Sequence, residues 1–416
     1  MSERVIGVGD KGAAKGEKKG LLTEIRVLDL SDEKGSFCSK LLADMGAYVI
    51  KVEKPGGNSS RMIGPFWGDS PHPERSLSFF YNNTNKFGIT LNLECDAGRE
   101  LLAQLISKTD VVVESFPPGY LDTLCLGFDA LSEMNLRLIM ASITGFGQTG
   151  PRKDFKSCDL VASAYGGQIS VSGSPSLPPI KPFGEQSYFA ASLFAAVAIL
   201  LALQGRARNG KGEHIDISLQ EAAISTLDHV MIRYFHEHVI TKRQGNRHWN
   251  TFFSILPCKD GFIHLTPFQH WETLVEWLDS EGMARDLRDE KWRDEGYRIA
   301  HADHVIEVLQ EWTMTHTAHE LFERGQLMRF PWAPIHSPQE VLASPQLKAR
   351  GFFMDWEGPE IPNVLKYPGL PYTFSTPFSF PCKRAPLIGE DNANVYQTEL
   401  GLHDEDLASL SSAGVI

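Results

Sequence analysis

The run Gly145-Phe146-Gly147-Gln148-Thr149-Gly150-Pro151 packs its glycines closely. Such a composition permits positive φ and lets a ligand approach backbone N–H groups. The same run reads equally well as a turn that binds nothing. Asp159 follows, just ahead of the apolar Leu160-Val161-Ala162. Its carboxylate is either the N-cap of a helix or an acid in an active site. Gly7-Val8-Gly9-Asp10 superficially suggests a phosphate loop, but it lacks a preceding strand and the full glycine pattern. His236-Glu237-His238 has i, i+2 spacing, which splays the rings apart on a helix. His301 and His304 are better spaced but lie in a charged helix, where a solvated face is the expectation. No metal site is expected. The cysteines stand at 38, 95, 125, 158, 258 and 382, without a Cys-x-x-Cys pair. That usage points to a reduced, cytoplasmic protein rather than to a disulfide scaffold or a zinc site.

The elements around these residues alternate. Ile25 to Leu30, Ala47 to Val52, Asp110 to Glu114 and Leu136 to Ile143 have the β-branched, apolar character of strands. Helical patterns at about 37–45 and 97–108 separate them. Strands alternating with helices imply a parallel sheet covered on both faces, with ligands at the carboxyl ends of its strands. A helix is expected over 190–205, a strand at His214 to Ile217, and a further helix from about 219 to 238. Residues 270–330 read as amphipathic helices of a smaller domain. Residues 345–380, rich in Pro, Gly and aromatics, read as a long crossing segment. The expected organisation is a disordered extension over 1–20, the first part of a large domain over 21–230, a small domain over 231–340, and a crossing segment with return to the large domain over 341–416.

A chain of 416 residues with 42% hydrophobic and 22% charged residues is expected to form a soluble protein of more than one structural unit. Its formal charge of −12 repels phosphate backbones, so nucleic acid is not an expected partner. Residues 1–20 lack the apolar stretch of a secretory signal. The longest apolar run, Ala190 to Leu203, is broken by Ser192 and fits a buried core helix better than a membrane span.

Several segments, taken in order, resemble the class III CoA-transferases, the family of formyl-CoA and carnitine CoA-transferases. They are Val27-Leu28-Asp29-Leu30-Ser31, the run from Leu41 to Glu53, Asn85-Lys86, Ile89 to Leu93, Asp110 to Phe116, Ser142 to Pro151, Gly210-Lys211-Gly212 and Asp216 to Leu219. The resemblance implies an α/β protein with a Rossmann-like large domain, a smaller mixed α/β domain, and two chains interlocked like linked rings. It implies a coenzyme A thioester as substrate and no permanently bound cofactor. Stretches matching the family's CoA-binding segments include Glu33, Lys54, Leu91, Leu93, Ser115, Phe116, Gly145 and Gly147. For Leu91, Leu93 and Phe116, simple core packing is an equal alternative.

The family also implies a nucleophile. Its aspartate, just before the helix that matches Ala190 to Leu203, attacks the acyl-CoA thioester. A mixed anhydride forms and CoA thiolate leaves. The thiolate then returns to give an enzyme–CoA thioester, which a second acid takes over in reverse. Only a carboxylate can make such an anhydride. Tyr188 occupies that position here, and a phenol with a pKa near ~10 is neutral at pH 7. The family's asparagine before the phenylalanine is Ser115, an arginine able to grip CoA phosphate is Thr123, and the glutamine near the thioester is Glu33.

These departures imply a chain whose own transfer site has decayed. It resembles the aspartate-less partner in two-subunit members of the family, such as benzylsuccinate CoA-transferase of anaerobic toluene degradation. A homologous catalytic subunit and an acyl-CoA are then its expected partners. Alternatives are a self-sufficient homodimer using Glu185 or Asp159, and a non-enzymatic binding or scaffold protein. Racemisation is disfavoured, because the His-Asp pair of family racemases stands here as Cys158-Asp159.

Overall fold

The computed structural model describes residues 20–247, 253–358, 361–375 and 383–416. Gly7-Val8-Gly9-Asp10, Cys382 and all but Gly20 of the expected disordered extension lie outside the described residues. The chain divides into two compact units. The first comprises the residues up to Gln168 with Lys181–Ile232 and Phe352–Ile416. The second comprises Ile169–Ile180 and Arg233–Gly351.

The first unit holds a parallel sheet of β1 (Arg26–Asp29), β2 (Tyr48–Glu53), β3 (Phe87–Thr90), β4 (Val111–Glu114), β5 (Ile139–Thr144) and β6 (His214–Ser218). Their spatial order is β3-β2-β1-β4-β5-β6, the Rossmann-like α/β arrangement. Period-two alternation sends successive side chains to opposite faces. Val27, Val49, Val111, Val113, Ile139 and Ala141 meet the long helix Gln186–Asn209 and the helix Ser36–Asp44 on one face. Leu28, Ile50, Val52, Val112 and Met140 meet the helices Asp96–Ile106 and Asn392–Leu400 on the other. Both faces are buried, so the strands read as continuous apolar runs. Among the described residues, only Gln186–Asn209 is long and apolar enough to cross a membrane. One of its faces carries Tyr188, Ala191, Ala195 and Ile199 into the core.

The outer edge of β3 is sealed by side chains rather than by another strand. Asp391 accepts from Gly88 N–H (2.7 Å) and Asn392 from Thr90 N–H (2.8 Å). The Tyr396 hydroxyl donates to the Thr90 carbonyl (2.7 Å). These bonds leave the central edge groups of β3 closed to a foreign strand.

The second unit has an antiparallel sheet of β7 (Ser254–Cys258), β8 (Gly261–Leu265) and β9 (Ala333–Pro334). The helices Trp271–Ser280, Ala302–Thr313 and Ala318–Leu327 pack on it around Trp277, Trp312 and Trp332.

Four local expectations need correction. The helix expected over 219–238 is two, Leu219–Ser225 and His229–Glu237, broken at Asp228, whose φ is +37°. The strand expected from Leu136 begins at Ile139, because Asn135 turns the chain by accepting from Arg137 N–H and donating to the Ile106 and Thr109 carbonyls. Within 345–380, β10 (Phe353–Gly358) and β11 (Ile361–Pro368) form an antiparallel hairpin. Asp159 is not an N-cap; that position belongs to Cys158, and the Asp159 carboxylate is engaged elsewhere.

Candidate active site

A cavity of about 530 Å³ opens at the carboxyl ends of the first unit's strands. It spans the point where β1 runs to β2 on one side and β4 on the other, the usual ligand crevice of such sheets. Lys54, Leu91, Leu93, Ser115, Phe116 and Gly145 all line it. Leu91 and Leu93 are also buried core residues, so packing and cavity wall coincide. Gly145 must be glycine for packing, since a Cβ would lie 2.3 Å from that of Ser157. Gly147 lies outside the wall. It takes a φ of +88° in a turn whose next N–H, from Gln148, donates to Asp216. Thr123 is also outside the wall, its hydroxyl donating to the Tyr120 carbonyl (2.6 Å).

Ser115 joins the two sides of the crevice. Its hydroxyl accepts from Asp32 N–H (2.8 Å) and donates to the Asp32 carboxylate (2.7 Å), which also binds Lys34. Below lies a fully buried ionic group that single-residue reading of the sequence overlooked. One Asp29 oxygen accepts from Ser31 and faces Lys51 at 3.3 Å. The other accepts from Ser39 (2.6 Å) and Lys86 (2.9 Å). Burial alone would raise the Asp29 pKa, but Lys51, Lys86 and the two hydroxyls outweigh it and hold it far below the carboxylate range. Burial pushes Lys86 down to about 8, with Asp29 opposing and Lys51 assisting.

Glu114, at the end of β4, is another residue that sequence reading overlooked. Burial raises its pKa to about 7, against hydrogen bonds from Ser142 and from Phe116 N–H (2.7 Å). Between 4.5 and about 7 the folded chain holds a proton that the unfolded chain has lost. Its contribution to stability is therefore complete below about pH 4.5, falls as pH rises to about 7, and is flat above. Glu114→Gln is expected to remove that slope and to raise stability near pH 8 by roughly 3–4 kcal/mol, at about 1.4 kcal/mol per unit. Thermal unfolding from pH 5 to 8 checks this. An unchanged slope rejects it.

The other candidates gather at the start of the long helix. Tyr188, 6% exposed, belongs to the apolar core. Its pKa is pushed far up by burial and by Glu33. Glu33 is raised by burial and by Asp32, and its Oε2 is buried without a hydrogen-bond partner among the described residues. Glu185, the residue before the helix, is raised by burial, Asp159 and Glu33. Asp159 accepts from Ser187 N–H (2.9 Å) and Oγ (2.7 Å) and pairs with Lys181 (2.7 Å). Those bonds commit it to holding the helix entry. Among the remaining histidines, His304 pairs with Asp286 (2.6 Å), His301 bonds the Tyr297 carbonyl, and His236 and His238 are exposed.

A parallel sheet of this order with a crevice at the carboxyl ends of its strands defines a Rossmann-like α/β fold. Residues 22–392 match CoA-transferase family III. The subunit BbsE of succinyl-CoA:(R)-benzylsuccinate CoA-transferase from Thauera aromatica is 32% identical, over 95% of this chain and 98% of that one. The succinyl-CoA:mesaconate CoA-transferase of Haloarcula hispanica is 32% identical, over 90% of this chain and 96% of that one. Among solved structures, a CAIB/BAIF family protein from Brucella suis superposes with a TM-score of 0.81 at 30% identity, covering 92% of this chain and 100% of that one. The chain belongs to CoA-transferase family III. Its relatives are CoA-transferases, which take CoA thioesters as substrates.

Proposed function

We propose that this chain is the non-catalytic subunit of a heteromeric class III CoA-transferase. The enzyme would move CoA from a donor such as succinyl-CoA to a carboxylic acid, with an aromatic dicarboxylate such as benzylsuccinate as the first candidate. A homologous partner, interlocked with this chain, would supply the nucleophilic carboxylate. The observation that carries the reading is Tyr188: a buried, neutral phenol stands where the chemistry needs an ionised carboxylate. Support for a partner chain comes from the word subunit in the name of the Thauera relative. It also comes from the outer face of the long helix, where Leu193, Phe194, Val197 and Leu201 are exposed. An apolar stripe of that kind favours coverage by protein.

The test is an activity assay on this chain, on its homologous partner, and on the mixture. Turnover is expected in the mixture and not in this chain alone, with the partner's carboxylate becoming the labelled group. One observation favours a second reading: the Glu185 carboxylate, at the helix entry, makes no hydrogen bond or ion pair among the described residues and has a raised pKa, while the residue's carbonyl accepts from Tyr188 and Phe189 N–H. If the isolated chain turns over and Glu185→Gln abolishes it, the self-sufficient reading replaces the first. A well-behaved monomer in sedimentation would also count against the heteromer.

A further inference from the structure

Three polar side chains stand in a row across β4, β5 and β6. Glu114 lies two residues past Val112 and Ser142 two past Met140, so both share the sheet face of those apolar residues. The register sets Glu114 beside Ser142 and His214 beside Met140. The Ser142 hydroxyl bonds the Glu114 carboxylate on one side and lies 2.9 Å from His214 Nε2 on the other. Glu114 and Ser142 are buried, whereas His214 is exposed and stacks its ring on Phe128, at the start of the helix Phe128–Met134. At the inner end of the row, Glu114 Oε2 accepts from Phe116 N–H (2.7 Å), and Phe116 lines the cavity.

Ser142 has one hydroxyl proton and two neighbours to satisfy. An ionised carboxylate can only accept. Ser142 must then donate to Glu114, and His214 must carry its proton on Nε2 to donate to Ser142. A protonated Glu114 reverses the row. The Phe116 N–H favours Oε2 as the carbonyl oxygen of the acid, so the acid proton sits on Oε1 and is donated to Ser142. The hydroxyl then turns to His214 Nε2, and the ring proton stands on Nδ1. The neutral ring gains one proton from water and returns another, with no net change. Burial raises the Glu114 pKa, with Lys34 opposing and Asp32 assisting. Burial lowers that of His214, against Asp216, Asp122 and Asp129. His214 is therefore mostly neutral while Glu114 titrates, and its response is a change of tautomer.

We propose that Glu114 is a pH-sensing positioning residue: through the Ser142 proton its charge sets which nitrogen of His214 is protonated, and through the Phe116 N–H it sets how firmly the cavity wall is held. A hydrogen bond to an ionised acceptor is roughly twice as strong as one to a neutral acceptor. The wall is thus held more firmly above about pH 7 than below. The consequence for ligand affinity rests on the CoA reading above.

NMR of the full-length chain with ring-15N histidine, from pH 6.5 to 8.5, reads the tautomer, and His214→Gln identifies the signal. The ring is expected to pass from Nδ1–H to Nε2–H as Glu114 ionises. Glu114→Gln, whose amide donates to Ser142 as the acid does, should hold the Nδ1–H form throughout. Ser142→Ala should abolish the response. Calorimetric titration with dephospho-CoA, which lacks the phosphate monoester that ionises near this range, reads the wall. The parent should bind it severalfold more tightly at pH 8 than at pH 6.5. Glu114→Gln should bind it weakly and equally at both. A tautomer that ignores pH in the parent overturns the proposal, as does a crossover that survives in Glu114→Gln or Ser142→Ala. So does an affinity that responds to pH equally in the parent and in Glu114→Gln. Absence of binding at every pH overturns the CoA reading instead, and the crossover at His214 then still decides the relay.

Discussion

A Tyr188→Asp chain is expected to remain unlabelled by acyl-CoA and to unfold well before the parent. The change places a carboxylate where the family keeps its nucleophile, so a site lacking only that group would recover. The surroundings argue otherwise. Tyr188 fills core space beside Ala191 and Ala162, and deleting a buried aromatic ring costs about 3–5 kcal/mol. The new carboxylate would face Glu33 and Glu185, two acids already raised by burial and by neighbouring carboxylates. Like charges would raise its pKa and weaken it as a nucleophile at neutral pH. Tyr188→Phe, which keeps the ring, should stay close to the parent in stability. Mass spectrometry after incubation with acyl-CoA and trapping with hydroxylamine or borohydride reads the adduct. Labelling of the aspartate variant would show that the site is otherwise intact and that its account as a decayed one is wrong.

Asp29→Asn is expected to be among the most damaging single changes in the large unit. It removes the carboxylate that, among the described residues, faces both Lys51 and Lys86, all three side chains being fully buried. Breaking a buried pair costs about 3–5 kcal/mol, because the remaining charge has no partner. Here two cations would be left. Lys86→Met should cost less, since it leaves Asp29 paired with Lys51 alone. Denaturant unfolding of the two variants checks the order, and a Lys86→Met variant less stable than Asp29→Asn rejects it. In the parent, Lys86 adds a pH signature: stability should rise from about pH 8 toward 10.5, where only the unfolded chain retains that proton.

Much of this architecture was legible because a doubly covered parallel sheet leaves continuous apolar runs, as Val111-Val112-Val113 does. β3 was not read as a strand: it is only four residues long and contains Gly88, and its edge is closed by residues far away in sequence. The cavity-lining set from Lys54 to Gly145 could be found through motifs that follow strand ends. The Asp29–Lys51–Lys86 group could not, since each residue sits within a motif and only the fold brings the three charges together. The Thr144 hydroxyl at the end of β5, buried and without a hydrogen-bond partner among the described residues, is likewise a property of packing that its neighbours in sequence do not reveal.

The closure of β3 has a bearing on how the chain is made. Gly88 and the aspartate that seals it are separated by 303 positions. At 5–20 residues per second, ribosomes need roughly 15–60 s to deliver Asp391 after β3 has emerged. Throughout that interval the nascent sheet has an open edge, and neighbouring chains on the same message carry the same one. Recombinant yield should therefore respond to elongation rate and to chaperone supply more than the stability of the finished protein would suggest.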